Sequence, residues 1–278
     1  MSLSILNNIP SLEAQNQLSI TNQNLQTTLF RLSSGSRINT GADDAAGLAI
    51  ADGLHANETA LTQSSQNASN GVGALQVADG ALAQVTTLLN RAVTLSTESS
   101  TGTVSNAQRG ALDAEFTQIK AEIDRIGSTT TFNGTSVFTA STTSIFLSDS
   151  NSSSQIGVTV GTLSSSAVNN GASTANLSGD DLTTAAKAQT SLTDINTAIA
   201  NVAGIRGSIG AGINRLQSAV NVINSQVQNL TSAEDGIRAA DIPAEVANLS
   251  RFTILNQSGI SALAQANSTQ QSVLALLR

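Results

Sequence analysis

His55 is the only histidine in the chain, and no cysteine accompanies it. A catalytic zinc needs three protein ligands, commonly two histidines of an HExxH helix with a third donor. His55 stands instead in "HANE" (55–58), so that chemistry has no ligand set. The two lysines, Lys120 and Lys187, do not follow a glycine-rich phosphate loop. "GSRINTGADDAAG" (35–47) has glycines and acids but not the GxGxxG spacing, and it follows a helical segment rather than a strand. Asp43 and Asp44 are adjacent, so on a helix their carboxylates diverge by about 100° and cannot work as a pair. These groups describe a non-enzyme, with no metal and no cofactor.

The same stretch has a simpler use. "RLSSGSRINTGADDAAGLAIAD" (31–52) reads as a helix break followed by a capped restart. Thr40 or Asp43 is the expected cap, and Asp43 and Asp44 together favour the positive end of the new helix dipole.

The elements on either side must therefore be long helices. Only Pro10 and Pro243 could interrupt them. Aromatic residues are 2% of the chain, with no Trp or Tyr, so aliphatic side chains must fill narrow seams rather than a thick core. Charged residues are only 11%, replaced by Asn, Gln, Ser and Thr, a surface suited to packing against copies of itself. The net charge of −7 argues against a nucleic-acid partner. No basic residue precedes Arg31, which excludes a cleavable secretory leader, and no continuous apolar run reaches the roughly 18 residues of a membrane span. An exported chain of this kind would need another route.

Heptads organise most of the sequence. From 192 to 230 a three-and-four stride runs through Leu192, Ile195, Ile199, Val202, Arg206, Ile209, Ile213, Leu216, Val220, Ile223, Val227 and Leu230. That is a rod of roughly 58 Å, interrupted at its seam only by Arg206. A strict seven-residue repeat, Leu54, Leu61, Ala68, Leu75, Leu82 and Leu89, marks a second rod. After a break at 99–105, a shorter helix carries Leu112, Phe116, Ile119, Ile123 and Ile126. Three such seams predict an antiparallel bundle. The chain ends form another pair: Leu18, Leu25, Leu29 and Leu32 against Ile242, Val246, Leu249, Ile260, Leu263, Leu274 and Leu277. Thr253, Asn256, Asn267 and Gln270 fall between the latter, and polar seam residues fix register while lowering stability. End helices of this kind are expected to become ordered when a partner covers them. Residues 127–180 hold 24 Ser or Thr among 54, and "SIFL" (144–147) with "IGVTVGTL" (156–163) predict a β-hairpin.

Several motifs, in order, carry a resemblance. "RLSSGSRINTGADDAAGLAIAD", "NASNGVGALQVADGAL" (67–82), "EIDRI" (122–126) and "FNG" (132–134) resemble the N-terminal half of bacterial flagellins. "EVANLS" (245–250), "ILNQSGISALAQAN" (254–267) and "VLALLR" (273–278) resemble the C-terminal half. The resemblance implies a mainly α protein, a long antiparallel coiled-coil bundle with a small central β-hairpin. Its expected divisions are an inner domain of 1–42 with 238–278, a rod of 43–130 with 181–237, and a short variable segment, 131–180. The implied function is a self-assembling filament subunit for motility, exported unfolded through the flagellar channel. Its implied partners are copies of itself, the export apparatus and its chaperone, the filament cap, and the hook-junction proteins. A hook-filament junction protein is the alternative. On this reading Arg31 and Arg37, opposite Asp43, Asp44 and Asp52, form a domain joint with intersubunit ion pairs. The resemblance also implies contact with the Toll-like receptor for flagellin at Arg91, Leu95 and Glu115. The same residues also suit a plain rod: Leu95 in its core, Arg91 and Glu115 as an interhelix pair.

Overall fold

The structure, a computed structural model, describes residues 8–148, 155–169 and 173–275. Leu277 lies outside them, as do the side chains of Gln270 and Leu274. Five helices dominate: α1 Ile9–Ser34, α2 Ala45–Ser100, α3 Asn106–Thr129, α4 Ala185–Arg238 and α5 Ile242–Ala275. The chain divides into two compact units, 1–56 with 229–278, and 57–228.

In the larger unit α2, α3 and α4 form an antiparallel bundle. Ser65 lies across from Asn224, and Asp79 binds Arg206 at 2.8 Å, so α2 and α4 run in opposite directions. Leu61, Leu75, Leu82 and Leu89 are buried along α2, each at least 95% covered, with Ala68, Ala78 and Ala92 between them. By length and composition alone α2 could cross a membrane; its leucines instead fill the bundle seam.

The α4 seam differs from the expected stride by one residue. Ile195, Val202, Ile209, Leu216 and Ile223 are buried as predicted, but their alternates are Ala198, Ile205 and Gly212 rather than Ile199, Arg206 and Ile213. Small residues bring the backbones close enough to close the seam, and Arg206 turns outward to Asp79. A Cβ on Gly212 would stand 3.2 Å from Val158, so the glycine is where the hairpin seats on the rod.

Ser105 starts α3 with a reciprocal capping box to Gln108. Arg109, buried, donates to the carbonyls of Ser99, Thr101 and Val104 and so fixes the α2–α3 connection.

The middle holds more than one hairpin. β1 (Thr131–Phe132) and β2 (Thr135–Ser136) pair across Asn133 and Gly134, with φ of 50° and 76°, a two-residue turn of the primed type. β3 (Thr143–Phe146) pairs antiparallel with β4 (Gln155–Val158) in the predicted place. β5 (Leu163–Ser164), β6 (Ala167–Asn169) and β7 (Thr174–Ala175) form a third small antiparallel sheet that the sequence reading did not anticipate. Its strands are two or three residues long, too short for an alternation to register. The buried amide of Asn201 holds this sheet to α4 by donating to the carbonyls of Val168 and Ser173.

Candidate assembly surface

The smaller unit pairs the two chain ends. The side chain of Asn8 caps α1 by accepting from the Ser11 amide, and Pro10 sits in the first turn, where its missing N–H costs nothing. Asn8 donates to the Ala266 carbonyl, Asn22 accepts from Asn256, and Arg31 meets Glu245, so α1 and α5 are antiparallel. Position by position, α1 turns Ser11, Ala14, Leu18, Thr21, Leu25, Thr28 and Leu32 toward its partner, all half-buried or buried. On α5 the matching stride is Glu245, Leu249, Phe252, Asn256, Gly259, Leu263 and Ala266.

This seam is narrow, and polar residues interrupt it on both helices. Thr21 and Thr28 are its buried centre on α1, and Thr21 returns its hydroxyl to the Gln17 carbonyl. Leu18 lies over Gly259, where a Cβ would stand 3.2 Å from its Cδ1. Of the residues expected here, Leu18, Leu25, Leu32, Leu249 and Leu263 face the partner helix. Leu29, Ile242, Val246 and Ile260 do not; they are 42–54% exposed. The α5 seam is again one residue from the expected frame, with Phe252 and Gly259 in place of Thr253 and Ile260, and with Ala266 beside Asn267, which accepts from the Ser11 hydroxyl at 2.9 Å. Gly259 and Ala266 let the two helices approach, and the β-branched Thr253 and Ile260 are left outside.

Outside, they are not isolated. Ile9, Leu12, Ile20, Leu29 and Phe30 on α1, with Ile242, Val246, Ile254, Leu255 and Ile260 on α5, are all exposed large apolar side chains. The two helices thus present ten such residues to water.

The stretch at 31–52 is a turn built from backbone. Gly35 closes α1 in the left-handed region (φ 70°), its amide returning to the Arg31 carbonyl at 2.9 Å. Ser36 then bridges Ala239: the Arg37 amide donates to the Arg238 carbonyl and the Ala240 amide to the Gly35 carbonyl. Ile38, 1% exposed, plugs the turn. Asp44, not Thr40 or Asp43, is the helix cap; its carboxylate accepts from the Gly47 amide at 2.9 Å. Asp43 instead accepts from the amides of Asn39 and Thr40 and the Thr40 hydroxyl. Those bonds, the Thr40 amide first, hold its carboxyl below the usual range.

The expected ion pairs are partly present, within one chain. Arg31 lies 3.9 Å from Asp43 and 3.5 Å from Glu245, an acid absent from the expected set. Arg37 finds no acid among the described residues and donates to the Ile237 carbonyl. Asp52 meets Arg238 at 3.7 Å. In the larger unit Arg91 and Glu115 form a two-point exposed bridge, 2.7 and 3.0 Å, which pushes the Glu115 carboxyl down. Leu95 is fully buried in the seam and presents no surface.

Comparison with known proteins identifies the family. Residues 5–143 match the bacterial flagellin N-terminal helical region, and residues 192–277 the bacterial flagellin C-terminal helical region. A flagellin of Halalkalibacterium halodurans is 34% identical, with 99% of each chain covered. The flagellar filament 33 kDa core protein of Treponema phagedenis is 35% identical, again over 99% of both. The crystal structure of Bacillus cereus flagellin is 28% identical over 61% of this chain and 94% of that one, with a TM-score of 0.47. The chain belongs to the bacterial flagellin family. It is accordingly a structural subunit of a flagellar filament and not an enzyme.

Proposed function

We propose that the subunit polymerises through the outer faces of α1 and α5, with neighbouring copies covering the apolar residues those faces expose. The observation carrying this is the burial pattern: the α1–α5 seam closes over five leucines and Phe252 interspersed with threonine, asparagine and glycine, while ten further isoleucine, leucine, valine and phenylalanine side chains stay exposed. A single chain gains little from that arrangement, since side chains 42–63% exposed forgo about half of the roughly 1.5–3 kcal/mol that full burial supplies. A lattice of copies recovers it. The segments 1–42 and 238–278 act as the assembling part, and 43–130 with 181–237 as the rod. A weak end pair also suits export unfolded through the flagellar channel with a chaperone on these helices, then folding at the tip beneath the cap. Arg91 and Glu115 are the part of the rod that a Toll-like receptor would reach; with Leu95 buried, that contact rests on the ion pair's surface.

The test is seeded polymerisation followed by electron microscopy, using the full chain, a variant lacking residues 1–40 and 240–278, and the double substitution Val246→Asp/Ile260→Asp. The full chain elongates into long filaments. The truncated chain stays monomeric, and the double variant keeps wild-type helicity but does not elongate. Filaments from either variant would overturn the assignment of assembly to these faces. Rings from the full chain in every salt condition would favour a hook-junction role instead.

A further inference from the structure

The segment 177–184 connects β7 to α4 and closes over α3. Leu177 and Leu182 on it are wholly buried. The Leu182 amide donates to Asp113 at 2.8 Å, the Leu182 carbonyl accepts from Ser99, and Lys120 Nζ donates to the Asp180 carbonyl at 2.6 Å.

Within this closure sits a carboxylate in an unfavourable place. Oδ2 of Asp180 is buried and has no hydrogen-bond partner among the described residues. The charges facing it are mostly its own sign. Asp194 comes from α4 and Asp181 from the same segment, while Lys120 from α3 is the opposing cation. Lys120 is only half available: its ammonium is directed to the Asp180 carbonyl and lies 4.9 Å from the centre of the Phe116 ring. Asp181 is neutralised separately by Lys187 at 2.6 Å and by Thr183. Asp113 is engaged by the Leu182 amide.

We propose that Asp180, whose Oδ2 is buried without a hydrogen-bond partner among the described residues, takes up a proton from solvent, and that this uptake clamps the 177–184 segment onto α3 and α4. Protonation removes a buried charge and the repulsion between two carboxylates together. Burial, followed by the charge of Asp194, raises the Asp180 carboxyl from 3.8 to about 6, against the pull of Lys120. Because the folded value is the higher one, the folded chain holds the extra proton. The added stability is complete below the unfolded value and is lost as pH rises through about 6. The rod closure is therefore tighter in mildly acidic surroundings than in alkaline ones, independently of how the filament assembles.

The experiment is a carboxyl 13C titration of the full-length monomeric chain by NMR, with hydrogen-exchange protection of the Leu182 amide from pH 5 to 8. The Asp180 signal should titrate near 6, and Leu182 protection should fall on the order of tenfold as pH rises across that range. Asp180→Asn should hold the pH 5 protection at pH 8. An Asp180 midpoint near the ordinary ~3.9 would overturn the proposal. So would an Asp180→Asn protection profile parallel to wild type. Should that variant fail to fold, the wild-type titration decides alone.

Discussion

Two glycines on one helix make opposite predictions. Gly127 is buried near the end of α3, and a Cβ built there would lie 1.9 Å from the Leu163 carbonyl oxygen and 2.9 Å from its carbon. Ordinary contact begins at 3.4 Å, so Gly127→Ala forces α3 and β5 apart by about 1.5 Å. The obstacle is backbone, which cannot rotate aside as a side-chain end would. Overpacking of this kind costs about 1–3 kcal/mol, against at most ~1 kcal/mol gained from alanine's better helix propensity. Because the obstacle is backbone, the upper part of that range, about 2–3 kcal/mol, applies, and the net loss is roughly 1–2 kcal/mol, a fall in Tm of about 2–8 °C for a unit of this size. Gly110, on the same helix, has nothing within 4 Å of its Cβ position. There Gly110→Ala keeps only the propensity term, and Tm rises by about 1–4 °C. Thermal unfolding of both variants by circular dichroism, with hydrogen exchange across α3, reads the difference. If Gly127→Ala were as stable as wild type while Gly110→Ala gained, the close approach of β5 to α3 would be wrong.

Asn201→Ala strips the Val168 and Ser173 carbonyls of their donor, and should cost about 1–3 kcal/mol while raising exchange at 163–175 before the rest of the rod. At the joint, Glu245 is only 9% exposed and faces Arg31. Arg31→Met should lower the temperature at which filaments depolymerise, by leaving that carboxylate short of its cation, whereas Arg31→Met with Glu245→Met should restore most of the loss. Equal effects of the single and double substitutions would show that the two residues are not coupled.

The length and direction of the helices were legible because a stride kept for 39 residues, as from Leu192 to Leu230, has no other reading. Which face closes was harder. Hydropathy weighs Ile260 above Gly259 and Ile213 above Gly212, yet the glycines stand at the contacts. At these two contacts burial between thin helices is decided by how near the backbones can come, and a ranking by side-chain hydrophobicity errs by one residue in favour of the bulkier isoleucine. The same error hid Glu245, which lies on the seam stride four residues before Leu249 but looks like a surface acid. Asp44 rather than Asp43 as cap is a one-residue choice that only the Gly47 amide settles. The three-stranded sheet left no periodic trace at all, since its register comes from α3 and α4. Asp124 accepts from both the amide and the hydroxyl of Ser165, and Asn201 fixes Val168 and Ser173. What the sequence does display at the ends is the mismatch itself: apolar residues exceed what one narrow seam can cover. In a chain that stays single that excess is a liability to aggregation. In a filament subunit, on the reading proposed above, the same excess is what neighbouring copies cover.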